Sequence, residues 1–324
     1  MEIQPTPVHR SRIDGPTAWK GTDFSNASQW CYRLSPAVIE EFDRSLTEIQ
    51  REAKPIANLT SSDFNVPSFL ADAAALRREI RSGRGFVLLK GLPRERYSDE
   101  EARIIYWGFG ALLGKAVPQN VKGDVLYSVR NEGVDLAREY GTIGARTSKT
   151  SLGLNYHTDS APIMAGFFPD IVGLLALNTA KSGGESAIIS GATLHNIVLE
   201  ERPDLLDRLY APYHFDRRAE LPPGEAPTLL APVFTCRNGI AIRYLRFYIP
   251  KGHELVGVPL TAADVEPLDF IDSVMTRPEL PVAFAMEQGD MQFINNVFIL
   301  HSRTAFEDHA EPERRRHLVR LWLE

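Results

Sequence analysis

A histidine and an aspartate two positions apart, His157 and Asp159, are the residues of this 324-residue chain best suited to share a metal ion. On a β-strand their side chains would point to the same side, because successive side chains alternate between the two faces. One further histidine from a distant part of the chain would complete a two-histidine, one-carboxylate set. That set holds Fe(II) and leaves three coordination positions open, where oxygen and a co-substrate can bind.

The triplet is weak evidence when taken alone. With 8 His and 42 Asp plus Glu residues, about one His-x-acidic triplet is expected by chance, and three occur, beginning at His157, His214 and His309. His301 is the best candidate for the third ligand, because it ends the apolar run 297–301 just after a Gly-Asp turn and another strand. His309 lies in an acidic loop with a proline, which is typical of a solvated residue.

The C-terminal segment predicts two arginines on one face of a strand. Arg316 and Arg320 are four positions apart, so both face one side, while His317, Val319 and Leu321 face the other. An unpaired buried charge is costly, and the planar guanidinium suits a carboxylate. We therefore predict that these two arginines face an anionic co-substrate or substrate, and that the two arginines before them lie on the surface.

Composition narrows the class of protein. Hydrophobic residues make up 44% of the chain and charged residues 24%, as in a soluble enzyme, and the net charge of −6 gives no general attraction to nucleic acids or anionic membranes. No transmembrane stretch or signal peptide is recognisable. The two cysteines, Cys31 and Cys236, favour free thiols over a single disulfide. These features predict a cytoplasmic protein with no nucleic-acid or membrane partner.

Apolar periodicity predicts helices over residues 36–52, 67–82 and 98–113. In the second helix Ser68 is a candidate N-cap, and in the third Ser98 opens a capping box. The apolar side of the second helix is predicted to consist of Leu70, Ala74, Leu76 and Ile80.

The remainder of the chain has the pattern of a β-protein, in which short apolar runs alternate with turn residues. The strand-like runs are 85–93, 125–129, 171–177, 186–190, 233–236, 240–244, 282–286, 291–294, 297–301 and 318–323. Two helical intervals, near 194–209 and 262–275, interrupt them. The pattern predicts a sandwich or barrel. We expect one domain over residues 1–324, with residues 1–60 as an N-terminal extension packed on it through Trp19 and Trp30.

In combination, these motifs resemble the TauD/TfdA family (taurine dioxygenase, clavaminate-synthase-like) of Fe(II)- and 2-oxoglutarate-dependent oxygenases. The resemblance is carried, in chain order, by Gly85–Leu92, Tyr156–Asp159, Ser182–Ser186, Gly289–Asn296, Leu300–Thr304 and Arg316–Leu323. It implies a mainly β fold with flanking helices, a double-stranded β-helix (jelly roll, cupin-like), whose core spans about residues 85–324. The sequence is silent on assembly, although members of the family are commonly dimers or tetramers, so a homo-oligomer stays open.

The resemblance also implies roles for individual residues. The implied iron ligands are His157, Asp159 and His301. Arg316 is similar to the arginine that pairs with the distal carboxylate of 2-oxoglutarate, and Ser186 to a hydroxyl residue beside it. Arg320 corresponds to a position that contacts an anionic group of the substrate in several relatives. Related halogenases carry Gly or Ala in place of Asp159, so the carboxylate favours hydroxylation or another oxidation over halogenation.

The substrate is less well determined by the sequence. Aromatic residues that can line a pocket, or equally belong to the core, are Tyr156, Phe167, Phe168, Tyr248 and Phe306. Arg243 and Arg246 can reach a lid or an anionic substrate. The segment His214–Arg218 is interpreted as a structural or surface element rather than a substrate contact.

The resulting prediction is an Fe(II)-, 2-oxoglutarate- and O2-dependent dioxygenase. It would hydroxylate an unactivated C–H bond of a small carboxylate-bearing metabolite, such as an amino acid or a specialised metabolite, and release succinate and CO2. Two alternatives stay open. The same cofactors can support desaturation, cyclisation or epoxidation, and a jelly roll can act as a non-catalytic metabolite sensor.

Overall fold

The computed structural model describes residues 4–120, 122–140, 142, 146–159, 168–218, 221 and 224–324. Its helices in this part of the chain are α1 (Pro36–Glu52), α2 (Pro67–Ser82), α3 (Asp99–Leu113), α4 (Leu136–Glu139), α5 (Gly191–Glu201), α6 (Leu206–Tyr210), α7 (Tyr248–Val256) and α8 (Ala262–Met275).

The strands follow in chain order. The first nine are β1 (Cys31–Arg33), β2 (Phe86–Lys90), β3 (Ala116–Val117), β4 (Leu126–Val129), β5 (Leu154–His157), β6 (Ile171–Asn178), β7 (Ser182–Gly183), β8 (Ser186–Ser190) and β9 (Pro212–Asp216). The others are β10 (Thr228–Pro232), β11 (Phe234–Cys236), β12 (Ile240–Ile242), β13 (Val282–Phe284), β14 (Met291–Asn295), β15 (Ile299–Arg303), β16 (Phe306–Glu307) and β17 (His317–Leu323).

Two sheets form the centre of the molecule. The larger has the strand order β1-β2-β14-β6-β17-β3, with β4 also paired to β17, and the smaller has the order β13-β8-β15-β5. Within the larger sheet, β14 is antiparallel to β2 and β6, and β17 is antiparallel to β6. Because neighbours in these sheets come from distant parts of the sequence, the topology brings the middle and the end of the chain together.

Side-chain alternation separates two apolar layers across the larger sheet. On β2, Phe86 and Leu88 belong to the layer shared with the smaller sheet, while Val87 and Leu89 pack with α1, α2 and α3. On β17 the helix-facing residues are Val319, Leu321 and Leu323. The opposite face of β17 is therefore directed into the space between the sheets, as the strand periodicity predicts.

Most of the predicted elements are confirmed, and α1, α2 and α8 have the predicted bounds. The capping box of α3 is present, with the Ser98 hydroxyl accepting from the Glu101 N–H and the Glu101 carboxylate accepting from the Ser98 N–H. Trp19 and Trp30 are buried in the core, and Cys31 and Cys236 are free thiols. Within the described residues, none of the helices combines the length and apolarity that a membrane crossing requires.

For α2 the predicted N-cap and half of the predicted apolar face, Leu70 and Ala74, were wrong, whereas Leu76 and Ile80 are buried as predicted. The helix begins at Pro67 after Val66, and Ser68 bonds instead to the carboxylate of Glu41, through its hydroxyl at 2.7 Å and its backbone N–H at 3.0 Å. Proline suits this position because its fixed φ matches the first helical turn. The buried face consists of Phe69, Ala73, Leu76 and Ile80, whereas Leu70 is exposed.

The single helix expected near 194–209 is two helices. Pro203 follows Arg202, whose φ of −142° is not helical, and a short 3-10 turn at Pro203–Leu205 separates α5 from α6. A proline disfavours the helical conformation in the residue before it, which explains the break. The sequence pattern also gave no indication of α7.

Candidate metal and substrate site

The pairing of β5 with β15 brings His157 and His301 together. The two residues are register partners in antiparallel strands, and their ring centroids lie 4.1 Å apart. Asp159 lies beyond the end of β5, so the expectation that it shares a strand face with His157 was wrong. Instead, Asn296 holds the Asp159 backbone, accepting from its N–H at 2.7 Å and donating to its carbonyl at 2.6 Å.

The three side chains converge on one point. Asp159 Oδ1 lies 3.6 Å from His157 Nε2 and 3.8 Å from His301 Nε2, and one potential ligand atom from each residue falls within 4.8 Å of the others. His157 Nδ1 lies 2.9 Å from the Asn155 carbonyl, an arrangement that assigns the proton to Nδ1 and leaves Nε2 free to coordinate. Two imidazole nitrogens and one carboxylate oxygen are the donor set that suits Fe(II).

The protonation states also suit metal binding. Burial, with a further contribution from the neighbouring His157, lowers the pKa of His301 to about 3, so its imidazole is neutral at neutral pH. For Asp159, burial raises the pKa, but Arg320 and the two histidines outweigh that effect and hold the pKa well below its usual range. The second oxygen of Asp159, Oδ2, accepts from Trp322 Nε1 at 2.8 Å and lies 3.0 Å from Arg320 Nη1.

Arg320 is buried and has partners within the protein. Besides Asp159, its Nε donates to Gln119 Oε1 at 2.7 Å, and Gln119 donates back to the Arg320 carbonyl at 2.9 Å. The guanidinium also stacks over Trp322 and Tyr127, at 4.7 and 5.2 Å from the ring centroids. The position predicted to contact the substrate thus holds the carboxylate of the candidate metal site in place.

On one side of the three converging side chains lies a narrow space, here called the smaller cavity. Its polar lining includes Ser186, Arg303 and Arg316, together with all three candidate metal ligands. Arg316 is 5% exposed, and its Nη1 is buried without a hydrogen-bond partner in the described structure. Burial and the neighbouring charge of Arg303 lower the pKa of Arg316 to about 9.

The surroundings of Arg316 explain why an anion fits there. Phe306 packs against both guanidiniums, 5.0 Å from Arg316 and 4.8 Å from Arg303. Gly184 has a φ of +80°, and a Cβ at this position would lie 3.1 Å from Arg316 Nε. A residue with a side chain would be strained in this backbone conformation and would press on the guanidinium. Two buried cations with an unused donor, beside a set of metal ligands, fit a dicarboxylate that also chelates the metal.

A second space, the larger cavity, has a volume of about 420 Å³, within the usual range for small-molecule sites. Both His157 and Asp159 line it as well. Other described lining residues are Leu136, Arg146, Leu152, Tyr156, Arg218, Arg246, Phe247, Tyr248, Arg320 and Trp322. Tyr156 and Tyr248 therefore lie where a pocket was expected.

Two of the other predicted substrate residues lie elsewhere. Neither Phe306 nor Arg243 is among the described residues that line the larger cavity. Arg243 is buried over the ring of Phe168, at 4.4 Å, and burial lowers its pKa to about 10. Arg246 does line the cavity but pairs with Asp269 and Asp272, at 2.8 and 3.1 Å. Phe167 lies outside the described residues.

The segment His214–Arg218 has mostly structural contacts. His214 Nδ1 bonds with Thr228 Oγ1 at 3.0 Å, and Arg217 pairs with Glu225 at 2.6 Å. The exception is Arg218, which lines the larger cavity.

Sequence reasoning gave no role to several residues of the site. Arg303 and Asn296 lie inside motifs that carry the family resemblance, and Trp322 shares a strand face with Arg320. The sequence therefore offered an indication for each of these three residues. Arg218 belongs to the segment His214–Arg218, which was interpreted as structural or surface, and nothing in the sequence pattern pointed to Gln119.

Comparisons with known proteins agree with this architecture. The chain is 30% identical over 320 residues to FR-33289 synthase of Streptomyces rubellomurinus, covering 98% of this chain and 91% of that protein. It is 28% identical over 321 residues to the taurine hydroxylase-like protein SAT17 of Stachybotrys chartarum, covering 96% and 79%.

Solved structures show the same fold. An asparagine oxygenase in complex with Fe(II), 2S,3S-3-hydroxyasparagine and succinate superposes with a TM-score of 0.67 at 18% identity, covering 91% of this chain and 93% of that one. The non-heme iron oxygenase OrfP, in complex with Fe, succinate and (3S)-hydroxy-L-Arg, gives 0.63 at 14% identity, covering 90% and 94%.

A family model decides the assignment. The model described as "Taurine catabolism dioxygenase TauD, TfdA family" matches residues 52–322, which is most of the chain. The chain therefore belongs to the TauD/TfdA family of Fe(II)- and 2-oxoglutarate-dependent dioxygenases.

Proposed function

We propose that this dioxygenase hydroxylates an unactivated C–H bond of a small carboxylate-bearing metabolite, an amino acid or a specialised metabolite, with release of succinate and CO2. One observation carries the proposal: His157 and Asp159 line two cavities at once. The smaller cavity contains a pair of buried arginines and suits 2-oxoglutarate. The larger has room for a second small molecule, whose C–H bond would then lie beside the same metal.

In the smaller cavity, Arg316 is proposed to bind the distal carboxylate of 2-oxoglutarate. Its unpartnered Nη1 supplies a donor, and a guanidinium can bind a carboxylate through two parallel hydrogen bonds. The Ser186 hydroxyl lies on the same wall and can donate to the same group. Arg303 adds positive charge, while its Nη2 is anchored to the Thr150 carbonyl at 3.1 Å.

When Fe(II), 2-oxoglutarate and O2 are bound, the metal centre couples oxidative decarboxylation to oxidation of a substrate C–H bond. The protein residues orient the ligands for this chemistry. Trp322 and Arg320 hold Asp159 through Oδ2, so that Oδ1 faces the two histidines. Because Arg320 is engaged in this way, we propose positioning of Asp159 as its main role, ahead of a contact with the substrate.

The proposed substrate class has two kinds of support. Arginines line the larger cavity, which favours a molecule with a negative group. The structural neighbours bear names that refer to oxidised amino acids, asparagine in one case and arginine in the other. Their identity to this chain is too low to specify which side chain is accepted, so the amino acid stays general.

The test is a substrate screen by mass spectrometry with purified enzyme, Fe(II), ascorbate and 2-oxoglutarate. A substrate should stimulate succinate release and gain one oxygen, whereas desaturation would remove two hydrogens. Asp159→Ala should abolish both signals, and Asp14→Ala, which removes a carboxylate that is 81% exposed and is not among the described residues lining either cavity, serves as the matched control. Absence of turnover across a broad panel of amino acids and their derivatives would contradict the proposal and favour a sensor.

A further inference from the structure

Arg218 lines the larger cavity, and its burial, backbone conformation and lack of an ion pair with a described carboxylate indicate that it binds a ligand. It follows strand β9 after one residue, is only 8% exposed, and lines the cavity together with His157 and Asp159. Its φ is +57°, one of only two positive values among the described non-glycine residues. Left-handed backbone is unfavourable for a long side chain, and such strain is found most often where a binding site requires it.

The charge of Arg218 has no counterion among the described residues. Its Nε is buried without a hydrogen-bond partner, and no ion pair with a described carboxylate is present. Asp216, two positions earlier, accepts from the backbone N–H of Arg218 itself, at 2.6 Å, and from the hydroxyl of Tyr140, and forms no ion pair with the guanidinium. The guanidinium rests instead over the ring of Tyr248, at 5.3 Å.

Two other arginines of this cavity differ from Arg218 in this respect. Arg320 is paired with Asp159 at 3.0 Å, and Arg246 is paired with Asp269 and Asp272. A buried cation without a counterion is costly unless a ligand supplies the opposite charge. The local balance of charge therefore favours an anionic group in the cavity at Arg218, and not at Arg320.

We propose that Arg218 determines substrate specificity by binding an oxyanionic group of the substrate, on the wall of the larger cavity formed with Tyr248. This inference rests on the proposed function and specifies its substrate class. The oxyanion is bound at Arg218, and the C–H bond to be oxidised lies toward His157 and Asp159. A guanidinium can donate hydrogen bonds to a carboxylate or to a tetrahedral oxyanion, so the probes below include both geometries.

The test uses Arg218→Asn, because asparagine tolerates left-handed backbone better than most residues. For each substrate found in the screen, KM and kcat are measured with the free acid and with its methyl ester. Removal of a charge-assisted hydrogen bond should raise KM for the acid by on the order of 10- to 100-fold. KM for the methyl ester should change much less than KM for the acid, and Arg218→Lys should restore part of the affinity for the acid.

Arg138→Asn is the matched control, because it removes the same charge from a side chain that is 87% exposed on α4. A second readout requires no knowledge of the substrate. The melting temperature of enzyme loaded with Fe(II) and 2-oxoglutarate under nitrogen is measured with inorganic sulfate and with chloride at equal ionic strength. Sulfate should stabilise the wild type and Arg138→Asn more than Arg218→Asn.

The outcomes separate this inference from the proposed function. If the wild type turns over no substrate, the proposed function fails, and the sulfate measurement alone then decides whether Arg218 is an anion site. If the wild type is active but Arg218→Asn keeps the wild-type preference for acid over ester and the full sulfate response, the inference is overturned while the proposed function stands.

Discussion

Replacing Arg316 with methionine should make the ligand-free enzyme more stable and at the same time impair its use of 2-oxoglutarate. Arg316 is 5% exposed, lies beside the charge of Arg303, and has an unused donor in the smaller cavity. Methionine keeps an unbranched chain of similar length and removes the charge. The two effects have opposite signs because the charge is costly without the co-substrate and needed with it.

The size of the stability effect follows from the pKa of Arg316. Burial, with repulsion from Arg303, lowers the pKa from 12.5 to about 9. At about 1.4 kcal/mol per pH unit, holding the cation in the folded state costs roughly 4 to 5 kcal/mol. The whole cost applies at pH 7, because this pH lies below both values and the residue is charged in either state. The methionine variant loses the stacking of the cation on Phe306, which stabilises the wild type by about 1 kcal/mol, and some packing as well. We therefore expect its free energy of unfolding to exceed that of the wild type by about 1 to 3 kcal/mol.

The effect on the co-substrate is a loss of affinity. Charge-assisted hydrogen bonds contribute about 1.5 to 3 kcal/mol each, so KM for 2-oxoglutarate should rise by on the order of 10- to 100-fold or more. Melting temperatures of the metal-free and 2-oxoglutarate-free proteins, together with steady-state kinetics at saturating substrate, measure both quantities. Arg314→Met is the matched control, because that side chain is 59% exposed and should change neither.

Two results would refute this reasoning. A ligand-free Arg316→Met protein that is less stable than the wild type would mean that the buried charge is compensated within the fold. An unchanged KM for 2-oxoglutarate would mean that the co-substrate is not bound at Arg316, whatever the stability.

Three further predictions concern the residues behind the site. Arg320→Ala should lower the free energy of unfolding of the metal-free enzyme by about 3 to 5 kcal/mol in urea denaturation, because it leaves Asp159 buried without its cationic partner; a wild-type KM for substrate in this variant would exclude Arg320 as a substrate contact. Asn296→Ala should cost about 2 to 4 kcal/mol by the same measurement and reduce metal affinity, because two buried hydrogen bonds to the Asp159 backbone are lost; unchanged stability would contradict the assigned clamp. Burial lowers the pKa of both His195 and His317 to about 4 in the folded protein, so at mildly acidic pH the unfolded chain binds more protons than the folded chain does. Stability should therefore fall as pH decreases from about 6.5 toward 4 and stay level above that range, with a shallower fall in His195→Gln, as calorimetry across this range would show.

Local sequence patterns were sufficient for most secondary structure and for the identity of the main motifs. The helices at 36–52, 67–82 and 262–275 could be predicted because the amphipathic period of 3.6 residues is visible in apolar residues three and four positions apart. The face of α2 could not, since Phe69 and Leu70 are both apolar and only the neighbouring helices and sheet determine which one is buried. The break before α6 had a local cause, Pro203, that the apolar periodicity masked.

The sequence by itself determined which residues form the candidate metal site. His157, Asp159 and His301 were identified by residue type, spacing and motif order, and the fold brings them together. Their partners were decided by tertiary structure alone. Arg320 pairs with Asp159 although they are 161 positions apart in the numbering, and Arg218, left-handed just after β9, lines the larger cavity.

The physical reason is the range of the interactions concerned. Helix and strand periodicity depend on neighbours a few residues away, which the sequence shows directly. Whether a buried arginine meets a carboxylate, a ring or an empty cavity depends on strand register and on packing between segments far apart in the chain. Two arginines on one strand face, Arg316 and Arg320, were therefore equivalent in sequence and became different in structure, one neutralised by Asp159 and one left with an unused donor.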